Sequence, residues 1–158
     1  MDDARQNDSA AAKIKIDSGV PWEEQFGYCR AQRLDDRILV AGTTASDADG
    51  VRYVGDAGAQ ARFVLEKIRC AIEELGGSFE DVVRSRVYVK PGADWEAVAA
   101  AHGEAFGTIR PVNTLIFAEM IGEEFLVEIE VEAIVGAGGR RVEWRPWQMS
   151  ETPEASDG

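Results

Sequence analysis

The stretch Leu126-Val127-Glu128-Ile129-Glu130-Val131-Glu132-Ala133-Ile134-Val135 alternates apolar and acidic side chains almost without exception. Successive side chains of a β-strand point to opposite faces. Val127, Ile129, Val131, Ala133 and Val135 therefore line one face, which calls for a covering layer, and Glu128, Glu130 and Glu132 line the other. Like charges two residues apart on one face repel, so the acidic ladder needs water or cations, and Arg84 and Arg86 of another strand are candidates. The glutamates either form a solvated, ion-paired ladder or include one that serves as hydrogen-bond acceptor or general base toward a bound water at a subunit seam. Alternation alone does not select which one.

The covering layer lies upstream. Asp56 is a good N-cap, and Ala61, Leu65, Ile68, Ile72 and Leu75 recur with helical period until Gly76–Gly77; Cys70 falls on this helix and reads as core. Asp81–Lys90 alternates, with Val83, Ser85, Val87 and Val89 on one face and Arg84, Arg86, Tyr88 and Lys90 on the other, and Pro91–Gly92 stops it. Asp94 caps a second helix whose stripe is Trp95, Val98, Ala99, His102 and Phe106, with Gly107 at its C-terminal end. Strands at Val112–Glu119 and Phe125–Val135 follow. Toward the N-terminus, a short strand at Lys13–Asp17 precedes a hairpin of Gly27–Leu34 and Arg37–Thr44 that turns at Asp35–Asp36. The order β-β-β-α-β-α-β-β predicts an α+β fold, a six-stranded, mainly antiparallel sheet with two helices on one face. The other face is left for solvent or a partner.

The chain has 158 residues, 45% hydrophobic and 29% charged, which suits one folded domain, over 13–136. Met1–Ala12 and Ser150–Gly158 are too polar to order themselves, and the extension 137–158 carries Trp144 and Trp147, expected to latch onto the surface of the assembly. No apolar run approaches the ~18 residues of a membrane span, and no export signal is visible, so a cytoplasmic protein without membrane contact is expected. A formal charge of −12 disfavours nucleic acid as a partner. Cys29 and Cys70 form neither a disulfide framework nor a metal-ligand set, and both read as packed thiols; neither a metal nor a cofactor is expected. His102, the sole histidine, shares an apolar stripe and reads as structural.

Several segments in order resemble the RidA/YjgF family of imine and enamine deaminases, also called the endoribonuclease L-PSP family. Gly27-Tyr28-Cys29-Arg30-Ala31 resembles its Pro-Tyr-Ser-Gln-Ala segment, and Val40-Ala41-Gly42-Thr43 its Val-Ser-Gly-Gln. Gln60-Ala61-Arg62 with Val64–Ile68 resembles its first helix, Asp81-Val82-Val83 the lead into its next strand, and Leu126–Glu130 its closing strand. The resemblance spans Pro21–Val135. It implies a chorismate-mutase-like fold, a homotrimer whose sheets meet around a central axis, and small-molecule clefts at the subunit interfaces.

In that family an arginine within Pro-Ala-Arg-Ser/Thr pairs with the carboxylate of a 2-imino acid, while a glutamate of the last strand helps water attack the imine carbon. The matching stretch here is Pro111-Val112-Asn113-Thr114, so Asn113 stands at the arginine. Without gaps, Glu128 falls at the catalytic glutamate and Tyr28 at the cleft tyrosine, while Gly42 would let a ligand approach the backbone. An amide lacks the charge and the paired donors of a guanidinium, a loss of about 2–5 kcal/mol of binding. Arg110 would lie ~10 Å from position 113 and on the other face, so Arg30 is the better replacement cation. The resemblance implies either a deaminase of an imine or enamine with an unusual substrate or a non-catalytic binding trimer. Ribonuclease activity has little support from an acidic chain with one structural histidine.

Overall fold

A computed structural model describes residues 13–147; the polar tails at Met1–Ala12 and Ser150–Gly158 lie outside them. The elements are β1 (Ile14–Ile16), α1 (Pro21–Phe26), β2 (Ala31–Leu34), β3 (Arg37–Thr44), a small hairpin of β4 (Ser46–Asp47) and β5 (Gly50–Val51), α2 (Ala57–Glu74), β6 (Val82–Val89), α3 (Trp95–Phe106), β7 (Val112–Phe117) and β8 (Val127–Ile134). Single 3-10 turns at Phe79–Asp81 and Ala137–Gly139 precede β6 and follow β8.

The six-stranded sheet runs β1-β2-β3-β8-β6-β7. All neighbours are antiparallel except β6 and β7, which are parallel because α3 carries the chain back between them. The acidic strand β8 thus lies inside the sheet, with β3 on one side and β6 on the other.

Asp56 caps α2 by accepting from Ala59 N at 2.9 Å, and Asp94 caps α3 by accepting from Ala97 N at 3.0 Å. The face of α2 formed by Ala61, Val64, Leu65, Ile68 and Ile72 is buried against Ile38 and Val40 of β3 and Val127, Ile129 and Val131 of β8. Each of the valine, leucine and isoleucine side chains among them contributes about 1.5–3 kcal/mol on burial. Helix α3 packs beside α2, and Phe106 stacks on Phe79 with ring centroids 4.6 Å apart.

Local departures from the sequence reading have physical causes. Pro21 starts the unforeseen α1 and Gly27, at φ 74, ends it. Cys70 is exposed, because two residues past Ile68 is roughly 200° around a helix. Trp95 is also exposed, and the buried face of α3 is Val98, Ala101 and Phe106. A bulge between Val82 and Arg84 moves Val83 off the apolar face, leaving Val82 as the buried residue. Gly107 keeps a right-handed φ of −54, and the chain reverses instead at Arg110, φ 51, whose guanidinium lies 4.3 Å from the Trp144 ring centre. Trp144 and Trp147 are otherwise exposed.

Candidate functional site

On the helix-free face the register sets Glu132 beside Arg84, Glu130 beside Arg86, and Glu128 between Tyr88 and Thr44. The ladder's charge is neutralised unequally. Glu132 is flanked by Arg37 at 3.5 Å, Arg84 at 3.8 Å and Arg86 at 3.4 Å. Glu130 pairs with Arg86 at 3.2 Å and accepts from the Tyr88 hydroxyl at 3.0 Å. Glu128 is bonded to neither an arginine nor a hydroxyl among the described residues. Burial pushes its carboxyl up from the usual carboxylate range, the nearby Arg30 charge opposes that, and Glu130 reinforces it.

Glu128 rests on a deformation of the neighbouring strand. The β3–β8 register slips between Val40 and Thr43, a bulge that contains Gly42, and a side chain at Gly42 would collide with the Glu128 carboxylate. Arg30 braces the same bulge from behind, donating to the Gly42 carbonyl at 2.9 Å, with its Nε 3.9 Å from the buried Glu23. Glu23 in turn accepts from Ser18 N at 2.8 Å and Ser18 Oγ at 2.7 Å. The arginine expected as a replacement cation is therefore committed to the backbone under Gly42, with its side chain only 17% exposed.

Tyr28 lines a cavity of about 410 Å³ together with Lys15, Cys29, Arg86, Glu130 and Glu132. Ala41, next to Gly42, forms part of the same wall, so Glu128 lies just past one end of this cavity rather than inside it. The alternation of β6 places Arg86 on this face, but nothing in the sequence marks the proximity of Lys15, Arg86 or Glu130 to Tyr28.

Asn113 sits elsewhere. It is the register partner of Ser85 in the parallel β6–β7 pair, on the face that carries the helices. Its Oδ1 accepts from Ser85 Oγ at 3.0 Å, and Ser85 Oγ is 2.8 Å from His102 Nε2. His102 also packs on Phe106, and burial pushes its pKa down. Within one chain, Asn113 and Glu128 are on opposite faces and share no hollow. The edge strand β7 leaves Val112, Ile116 and Phe117 exposed.

Among the described residues, no group of three or more His, Cys, Asp or Glu side chains is placed to hold a metal ion, and no helix is long and apolar enough to cross a membrane.

Residues 23–135 match the family described as Endoribonuclease L-PSP. An uncharacterized protein of Streptomyces coelicolor is 42% identical over 130 residues, which cover 82% of this chain and 97% of that protein. The crystal structure of a member of the YjgF/YER057c/UK114 family from Mycobacterium tuberculosis is 38% identical, with a TM-score of 0.71 over 78% of this chain and 100% of its own. A protein of unknown function from Pseudomonas aeruginosa is 28% identical, with a TM-score of 0.68 over 80% of this chain and 94% of its own.

Proposed function

The chain belongs to the RidA/YjgF, or endoribonuclease L-PSP, family and has its α+β, chorismate-mutase-like fold, and on that premise we propose that it is a hydrolytic deaminase of a reactive imine or enamine. Glu128 is the general base. Its carboxylate takes a proton from water as the water oxygen attacks the imine carbon and passes that proton to the nitrogen; as the resulting carbinolamine collapses, its hydroxyl proton also goes to the nitrogen through Glu128, the C–N bond breaks, and ammonia and a carbonyl compound leave. A carboxyl raised by burial is a better base toward water than an ordinary one.

The observation that carries this reading is the isolation of Glu128 in a ladder where Glu130 and Glu132 are both paired. A structural ladder gains from pairing every member, whereas a base needs one left open. Tyr28 and Asn113 bond the substrate, and Gly42 gives it access to the backbone. Because Asn113 and Glu128 face opposite ways in one chain, the complete site needs the exposed β7 edge of one copy beside the acidic face of another, in a homotrimer with a small-molecule ligand at each interface. The amide at 113 shifts the preferred substrate away from ordinary 2-imino acids toward imines that bear a weaker anionic group or none. The location that fits this role is cytoplasmic.

A second reading, a non-catalytic trimer that binds a small molecule at the same interfaces, is favoured by Asn113 itself, an amide tied to Ser85 where a carboxylate anchor would need a charge. Ribonuclease activity is disfavoured by the −12 charge.

Freshly generated imines, 2-iminobutyrate and an uncharged analogue, separate the readings. The deaminase reading expects ammonia release above background from at least the uncharged imine, abolished in Glu128→Ala. Background rates with both, together with saturable thermal stabilisation by a metabolite, would leave the binding reading. Light scattering giving the mass of one chain would remove both.

A further inference from the structure

The fully buried hydroxyl of Ser85 lies between two partners, His102 Nε2 at 2.8 Å and Asn113 Oδ1 at 3.0 Å. A hydroxyl has one proton to give. Donated to Asn113, it leaves only a lone pair for the imidazole, so Nε2 of His102 carries the ring hydrogen and donates it to Ser85. The three groups point one way, from α3 through β6 to the edge strand β7. Asn113, at the end, is the exposed member. With Oδ1 held inward, its NH2 group is turned away from Ser85. A flip of the amide would reverse both hydrogen bonds and require the ring's other tautomer.

We propose that Ser85 and His102 are positioning residues that hold the Asn113 amide with its donor end outward, so that the β7 edge selects ligands offering a carboxylate or carbonyl oxygen over ligands offering an ammonium. This rests on the reading of Asn113 as a substrate-facing residue. An uncharged donor recognises an oxygen by direction rather than by charge, which sets this edge apart from one that carries a guanidinium. Asparagine elsewhere on a surface turns its amide freely; here a buried relay removes that freedom.

His102 is the only histidine in the chain, so a long-range 1H–15N spectrum of the labelled protein reads its tautomer without assignment. The expected form at pH 7 is protonated on Nε2. A ring protonated on Nδ1 overturns the proposal, because Ser85 would then donate to the ring and Asn113 would turn around. The second arm titrates 2-oxobutyrate and butylamine while following the Asn113 side-chain amide signals. The expected result is binding of 2-oxobutyrate at least about tenfold tighter, roughly the worth of one hydrogen bond. Ser85→Ala should lose that preference, and His102→Gln, whose amide still donates, should keep it. Equal binding of the two probes, or an unchanged preference in Ser85→Ala, overturns the proposal. If imines release no ammonia while the preference holds, the deaminase reading fails and this assignment stands.

Discussion

The carboxylate of Glu128 lies so close to Gly42 that a β-carbon on residue 42 would collide with it. The bulge between Val40 and Thr43 brings the β3 backbone up to the carboxylate, and the Arg30 bond to the Gly42 carbonyl holds it there. Glu128 is thus confined by backbone on one side without being neutralised by a cation in contact with it.

Gly42→Ala tests that confinement. Gly42 is not in the left-handed region, so alanine is conformationally acceptable there and the penalty comes from collision alone. The colliding atoms are the end of a flexible side chain, so its displacement should cost no more than about 1 kcal/mol in urea denaturation, while imine hydrolysis falls because the carboxylate is moved. Undiminished activity would show that Glu128 has room to spare.

The acidity of Glu128 has a consequence for stability. Its folded pKa lies above the usual value of 4.5. Between the unfolded and folded pKa values the native state binds more protons, so this group lowers stability as pH rises through that window. Glu128→Gln should therefore be more stable than wild type at neutral pH, with the advantage shrinking as the solution is acidified toward 4.5. Denaturation at a series of pH values reads this directly; an advantage that grows in acid would contradict the shift.

Asp81 behaves oppositely. Its buried carboxylate accepts from Gly138 N at 3.0 Å and Ser78 N at 2.9 Å, tying the turn before β6 to the turn after β8. Burial raises its pKa, but the hydrogen bonds from Gly138 and Ser78 outweigh that and hold it below the usual range. Its contribution is present above the unfolded pKa and lost as pH falls through the folded one. Asp81→Asn should cost about 1.5–3 kcal/mol near neutrality, and the gap to wild type should close in strong acid; a gap independent of pH would mean that the charge is not what matters.

The fold was legible because its main elements declare themselves locally. The period of α2, the alternation of β6 and β8 and the Asp56 and Asp94 caps each depend on neighbours within a few residues. The bulges at Gly42 and Val83 were not legible, since an extra residue in one strand is defined only against its partner. The same limit applies to the site. β8 announced three equivalent glutamates, and their inequality depends on Arg37, Arg84, Arg86 and Tyr88, whose distances are fixed by register. Arg30 reads as a free cation in sequence because its acceptor, the Gly42 carbonyl, lies in the next strand. The Ser85–His102 contact joins residues 17 apart across a strand and a helix, beyond any local pattern.

If the unpaired glutamate does the chemistry and the paired ones hold the sheet, kcat for imine hydrolysis separates them, measured in Glu128→Gln and Glu130→Gln, each checked for folding. The prediction is a loss of about 10²–10⁴-fold in the first, the usual worth of a general base, with kcat in the second staying within about tenfold of wild type. Activity that survives in Glu128→Gln and disappears in Glu130→Gln would contradict the assignment.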